Sequence, residues 1–226
     1  MSVKPIAFAI FAHPDDEAFG PSGTLAILSE THDVYLVCAT RGEAGENHSG
    51  VKGNIFDIRE RELRASATIL GIKDVFFLGF KDGELCNNLY HKVAEKIQNL
   101  VNKFKPSLFV TVEHHGVSGH LDHIAISFIS TYVYRKSPTI KEIWYNCVDR
   151  LQSVGTRNYF VYFPPGYKTE DIDKTVDVSS VWNKKIAAIN AHVSQQKDGK
   201  RVLIQMKALH ILRGFKKYEF FLVSKK

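Results

Sequence analysis

Short apolar runs alternate with longer stretches of helical period over the first two-thirds of the chain. Residues 6–12, 34–39, 75–78 and 108–112 are rich in Val, Ile and Phe and bounded by turn residues or charges, the pattern of buried strands. Between them, residues 15–29, 56–70 and 90–104 carry a helical period. In the second, Ile58, Leu63, Ala65, Ile69 and Leu70 lie on or near one face and Gly71 supplies a C-cap. In the third, Val93, Ile97, Leu100, Val101 and Phe104 recur at helical intervals before Pro106 ends the run. A helix over 121–134 and strands over 143–148 and 159–163 follow. Helices over 180–194 and 202–212 and a strand over 219–223 complete the pattern.

This order predicts an α/β fold, Rossmann-like, with a mostly parallel sheet, helices on both faces and a C-terminal α+β elaboration. With no repeat or convincing linker, residues 1–226 read as a single domain. Ligands of such sheets bind outside the carboxyl ends of the strands. The loops to inspect are those around His13 and over 40–54, 79–88 and 113–120.

Composition narrows the class. Of 226 residues, 44% are hydrophobic and 24% charged, which excludes a disordered, collagenous or coiled-coil chain. The first apolar run is broken by His13 and Asp15 after seven residues and has no small-residue cleavage site. It is too short for a membrane span and unlike a signal peptide, so a cytoplasmic protein without a membrane partner is expected. Cys38, Cys86 and Cys147 are far apart and form no C-x-x-C pair, the usage of reduced thiols. Thirty Lys plus Arg against 24 Asp plus Glu give a formal charge of +6. The positives are dispersed except near the C-terminal end, and no nucleic-acid-binding motif accompanies them, so no nucleic-acid partner is expected.

Chemistry concentrates in two places. Ala12-His13-Pro14-Asp15-Asp16-Glu17 closes the first strand, and His13 lies three residues before Asp16, close enough to converge on one ion. Gly119-His120-Leu121-Asp122-His123 opens the helix after the fourth strand, with two imidazoles at i and i+3. Topology brings both segments to one sheet edge. Two His and one carboxylate with an open position is the ligand set of a catalytic zinc or ferrous site.

These residues resemble the A-H-P-D-D-E and H-P-D-H signatures of the LmbE-like or PIG-L family of zinc-dependent N-deacetylases. Thr40-Arg41-Gly42-Glu43-Ala44-Gly45, Arg59 with Glu62, Asp82-Gly83 and His192-Val193-Ser194-Gln195 are similar to further family segments. The resemblance implies that His13, Asp16 and His123 hold Zn²⁺, with Fe²⁺ as the other ion to consider. It implies that Asp15 is the general base, that a protonated His120 stabilises the oxyanion or protonates the leaving amine, and that Asp122 orients His120. Arg41, Arg59, Asp82 and His192 are the candidate substrate-binding positions, with salt-bridge scaffolding as the other reading of the first three and a hydrogen-bonded core histidine as that of His192. The implied activity is removal of the N-acetyl group from an N-acetylglucosamine-type sugar or conjugate, with a larger sugar-thiol or other amide conjugate as the alternative. The partner is then a small N-acetylated sugar, and a homo-oligomer stays open. Two positions depart from the family pattern: Leu121 replaces the usual proline, and Ser118 stands where some members carry a tyrosine.

Other functions fit less well. Neither G-x-G-x-x-G nor G-x-x-x-x-G-K-[ST] occurs, against a nucleotide-binding module. Two-metal phosphoester chemistry calls for more bridging carboxylates than Asp16 alone. Adjacent Asp15 and Asp16 cannot flank one glycosidic bond at the required separation of roughly 5–9 Å.

Overall fold

The computed structural model of the protein describes residues 3–154 and 162–226. One seven-stranded sheet runs through it in the order β3-β2-β1-β4-β5-β7-β6. Strands β1 (Ile6–Phe11), β2 (Asp33–Cys38), β3 (Asp74–Phe77), β4 (Leu108–Val112) and β5 (Glu142–Cys147) are mutually parallel. Strands β6 (Lys174–Asp177) and β7 (Tyr218–Lys225) add an antiparallel edge. Central strands β1 and β4 are buried almost end to end, which is why their sequences are continuous apolar runs without alternation.

Helices α1 (Asp16–Phe19), α2 (Ser22–Thr31), α3 (Ile55–Leu70), α4 (Tyr90–Phe104), α5 (Gly116–Gly119), α6 (Leu121–Lys136) and α7 (Arg150–Ser153) occupy the connections. Helices α8 (Trp182–Ala191) and α9 (Gln196–Leu212) precede β7. Gly71 takes φ 78° at the end of α3, the left-handed C-cap that its position predicts. The core is the packing of Phe8, Ile10, Leu36 and Phe109 from the sheet against Leu25, Leu63, Ile97 and Ile126 from the helices.

Four expectations change. The helix expected over 15–29 is two helices, because Pro21 has no N–H to donate and biases Gly20 away from helical dihedrals. Helix α9 starts at Gln196 rather than near 202; its polar first turn hides the start, and Gly199 is buried against Ile189 and Phe19. Strand β6, four residues on the sheet edge, has no apolar run to betray it. Of the strand expected over 159–163, residues 159–161 lie outside the described residues, and Tyr162 and Phe163 join no strand.

A buried ion pair ties the antiparallel edge to the parallel half. Glu219 of β7 accepts hydrogen bonds from the Gly23 and Thr24 N–H groups at the start of α2 and pairs with Lys185 of α8 at 2.6 Å. The carboxylate thereby satisfies helix N-terminal donors that would otherwise be buried unpaired. Among the thiols, Cys38 and Cys147 are buried and Cys86 is exposed; none forms a disulfide. No helix among the described residues is long and apolar enough to cross a membrane.

Candidate metal centre and catalytic site

The parallel sheet reverses its strand order at β1, which has β2 on one side and β4 on the other. Loops leaving β1 and β4 diverge there and open a crevice, the place where open α/β sheets bind ligands. His13 follows β1, and His120 and His123 follow β4 and begin α6.

The three expected ligands converge. His13 Nδ1 stands 3.1 Å from His123 Nε2, His123 Nε2 3.1 Å from Asp16 Oδ1, and His13 Nδ1 3.8 Å from Asp16 Oδ2. Donors bound to one tetrahedral ion at about 2.0–2.1 Å lie about 3.3 Å apart, so the two 3.1 Å spacings around His123 Nε2 are those of neighbouring donors to a single ion. The far sides of both rings fix where the lone pairs point. His123 Nδ1 faces the Gly116 carbonyl at 3.0 Å, and His13 Nε2 faces Asp82 at 2.9 Å and Asp122 at 3.2 Å. With a proton on each of those nitrogens, His13 Nδ1 and His123 Nε2 present lone pairs to the same point, the carboxylate–histidine arrangement common behind metal ligands. Asp16 is held by the Ala12 and His13 N–H groups at 3.1 and 2.9 Å. Ring nitrogens of His13, His120 and His123 also lie within 4.8 Å of one another.

Electrostatics favour a cation at this point. Asp15, Asp16, Asp82 and Asp122 surround His13, against the single guanidinium of Arg59. Burial pushes His13 down, yet hydrogen bonds to Asp122 and Asp82 and the Asp16 charge outweigh it and raise it to about 10. The pocket stabilises positive charge on that imidazole, and a divalent ion satisfies the same demand. Burial likewise pushes Asp16 up, but His123 and His13 reverse the shift and hold it below the ordinary carboxylate range.

Asp15 has a different environment. Its φ of 108° is a conformation that residues other than glycine rarely adopt, and such strain persists only where the surroundings impose it. The Asp15 N–H donates to Glu17 Oε2, its carbonyl accepts from the Ala18 and Phe19 N–H groups, and its carboxylate receives Arg59 Nη2 at 3.0 Å. Helix α1 thus begins at Asp16 with Asp15 as its N-cap residue, whose side chain makes no capping hydrogen bond and lines the crevice instead. Burial raises Asp15 to about 6, with Arg59 opposing and Asp16 adding to the shift. A carboxyl poised near neutrality suits a general base.

His120 is the N-cap of α6, and its Nδ1 accepts the Asp122 N–H at 3.1 Å. An accepting Nδ1 leaves the proton of the neutral ring on Nε2. Burial, then the charges of His123 and His13, lower His120 below the ordinary imidazole value. Both features favour a neutral His120 ring over the expected protonated one. The expected orienting role of Asp122 is also corrected: its side chain binds His13 and the Gly83 and Leu85 N–H groups, and only its backbone touches the His120 ring.

The positions expected to bind substrate divide. Asp82 and Arg59 line the crevice but act on other site residues, Asp82 on His13 and Arg59 on Asp15, Pro14 and Gly42. Arg41 turns away to pair with Glu60 at 2.6 Å and to lie over Phe56 and Phe77. His192 is fully buried and binds Glu17 at 2.8 Å. Neither Arg41 nor His192 lines the crevice.

Two buried carboxylates escaped the sequence reading. Glu17 accepts from Ser66, His192 and the Asp15 N–H, so it supports the strained turn; its place in the A-H-P-D-D-E run is the signal that could have found it. Glu113, just after β4, accepts from the His115 and Val117 N–H groups and the Tyr167 hydroxyl. It pins the loop whose Gly116 carbonyl orients His123, and nothing in the local sequence marks it. Gly116 itself has φ 69°, and a Cβ there would meet His123 Cβ at 2.8 Å.

The crevice has a volume of about 450 Å³. Its lining includes the His and Asp cluster, the apolar side chains of Phe19, Val148, Val202, Met206, Leu209 and Phe220, and polar ones such as Gln152, Asp198, Arg201 and Gln205.

Residues 8–134, more than half of the chain, match the family described as PIG-L, GlcNAc-PI de-N-acetylase. The chain belongs to this family. A family relative, described as a probable N-acetyl-alpha-D-glucosaminyl L-malate deacetylase 2 of Bacillus cereus, is 30% identical over 195 residues, covering 82% of this chain and 81% of its own. Among solved structures, the N,N′-diacetylchitobiose deacetylase of Pyrococcus horikoshii superposes with a TM-score of 0.74 at 20% identity, over 98% of this chain and 84% of that one. GalB, the 4-carboxy-2-hydroxymuconate hydratase of Pseudomonas putida, superposes with a TM-score of 0.71 at 17% identity, over 98% of this chain and 97% of its own. At these identities the two structures share the fold with the PIG-L chain and establish nothing about its reaction.

Proposed function

We propose that the protein is a zinc-dependent N-deacetylase that releases acetate from the amine of an N-acetylglucosamine-type conjugate. The observation carrying this reading is the convergence of His13 Nδ1, His123 Nε2 and the Asp16 carboxylate beside the strained Asp15. Zn²⁺, or Fe²⁺ in its place, would be held by these three ligands and would supply Lewis acidity for polarising the amide carbonyl and activating water near pH 7. Asp15 accepts the proton of the attacking water, with Arg59 holding its carboxylate in line. His120, neutral with its proton on Nε2, donates a hydrogen bond to the oxygen that becomes negative in the tetrahedral intermediate. The proton taken by Asp15 is returned to the leaving amine. Asp82 and Asp122 keep His13 in the tautomer that ligation needs.

The size of the crevice and its mixed apolar and polar lining support a conjugate over the bare sugar, since about 450 Å³ accommodates an aglycone beyond the acetamide. The matched relative, described as acting on a glucosaminyl malate, supports the same substrate class. Acetate release from N-acetylglucosamine and N,N′-diacetylchitobiose by metal-stripped protein, with and without Zn²⁺ or Fe²⁺, tests the reading. Zinc-restored release that falls about 10²–10⁴-fold in Asp15→Asn, with metal content unchanged, is the expected result. Protein that binds no divalent metal, or an Asp15→Asn variant with full activity, overturns it. Hydration of 4-carboxy-2-hydroxymuconate without acetate release would move the chemistry to that of the hydratase sharing the fold.

A further inference from the structure

Residues 199–217 contain Lys200, Arg201, Lys207, Arg213, Lys216 and Lys217 and no Asp or Glu. Their six positive charges equal the formal charge of the whole chain, +6, so all remaining residues together are balanced. Most of this segment is helix α9, which carries apolar residues on two opposite faces. Val202, Met206 and Leu209 turn inward to the crevice. At about 100° per residue, Ile204, Ala208, Ile211 and Leu212 form a stripe roughly 100° wide on the other side, and Phe215 continues it past the helix end. Ile204, Ile211, Leu212 and Phe215 are each 68–73% exposed, and Lys200 and Lys207, both exposed, border the stripe.

Aliphatic and aromatic side chains flanked by lysines, on a helix whose one acid, Asp198, sits in the first turn and lines the crevice, make the surface of an interfacial helix. We propose that this face of α9 docks the protein on an anionic phospholipid bilayer, with Ile204, Ile211, Leu212 and Phe215 entering the interface and the exposed Lys200, Lys207 and Lys216 meeting the headgroups, while Arg213 stays paired with Asp149. Charge complementarity selects this occupant. A second copy packed face to face would bring two acid-free segments of six positive charges together. A nucleic acid would satisfy the lysines and leave the aliphatic stripe unburied. A bilayer satisfies both, and it leaves the crevice about one helix diameter, roughly 10 Å, from the lipid. The proposal is independent of the deacetylase reading.

Co-sedimentation of the full-length, metal-loaded protein with vesicles of phosphatidylcholine alone, or mixed with phosphatidylglycerol, tests it. The expected result is binding to the mixed vesicles, weak binding to the neutral ones, and release as salt rises. Ile211→Glu with Leu212→Glu should abolish binding while the circular dichroism spectrum and the activity of the crevice persist. Lys200→Gln and Lys207→Gln should each weaken binding about fivefold. If the double glutamate variant misfolds, the lysine variants carry the test alone. Equal binding to both vesicle types, no binding, or lysine variants that bind like the parent overturns the proposal. So does light scattering that finds a dimer, split by the glutamate pair, in protein that ignores vesicles.

Discussion

Replacing Arg59 should cost more stability than any surface arginine. The side chain is 4% exposed. Its guanidinium donates to the Gly42 carbonyl at 2.9 Å, the Pro14 carbonyl at 2.5 Å and the Asp15 carboxylate at 3.0 Å. Arg59→Ala takes the donor from the Pro14 carbonyl, leaves the Gly42 carbonyl with the Gly45 N–H alone, and leaves the buried Asp15 carboxylate without its guanidinium partner. Breaking one partner of a buried pair costs about 3–5 kcal/mol, because the remaining charge stays desolvated. For a chain of this size each kcal/mol is worth about 2–4 °C in Tm, so the melting temperature should fall by roughly 6–20 °C. The decisive comparison is a double-mutant cycle by urea or thermal unfolding. Asp15→Asn removes the charge that Arg59→Ala strands, so the double variant should be more stable than the sum of the single losses predicts, by about 1–3 kcal/mol. Costs that simply add, or an Arg59→Ala protein melting like the parent, would refute the reasoning. Gly42→Ala gives an independent check: with φ 70° and a Cβ that would run into the guanidinium, it should displace Arg59 and lower Tm as well.

Three further outcomes follow from other parts of the fold. Asp82→Asn removes a carboxylate behind His13 and should weaken zinc about 10–100-fold in a chelator competition, with the fold intact. Burial pushes Cys147 up to about 12 and Cys38 well above its ordinary value, so a thiol reagent at pH 8 should label Cys86 quickly and the other two only on unfolding. Burial pushes His192 down, but the Glu17 charge and hydrogen bond outweigh it and leave the folded pKa above the unfolded value near 6.5. The folded state then binds the extra proton, so this stabilisation is complete below about pH 6.5 and is lost as pH rises through the folded pKa. Urea midpoints measured across that range should fall with pH, and His192→Gln should flatten the slope.

The layered fold follows from local pattern. Strands β1 and β4 are unbroken apolar runs because they are buried on both faces, and α3 ends at Gly71 because only a left-handed residue closes it there. Period and turn chemistry are properties of neighbours in the chain, so sequence exposes them. The residues of the candidate site were legible for the same reason: His13 and Asp16, and His120 and His123, are each three residues apart, and the α/β order brings the two segments to one edge.

Partnership between distant side chains is another matter. Only folding decides that Asp122 serves His13 instead of the adjacent His120, that Arg59 reaches across more than forty residues to Asp15, or that His192 sits behind Glu17 away from the crevice. Arg41 and Arg59 look alike as polar residues near strand ends, yet one pairs with Glu60 at the surface and the other anchors the site. Motif spacing fixes which groups are present, whereas burial and the charges brought in by other elements fix their protonation. Thus Asp15 rises while Asp16 falls, although the two are neighbours in the chain. The sequence by itself determined the layers, the sheet edge and the chemical types gathered there. Tertiary structure decided which carboxylate faces the imidazoles, which faces Arg59 and which lies behind His13, because those partnerships depend on distances across the fold that no local pattern encodes.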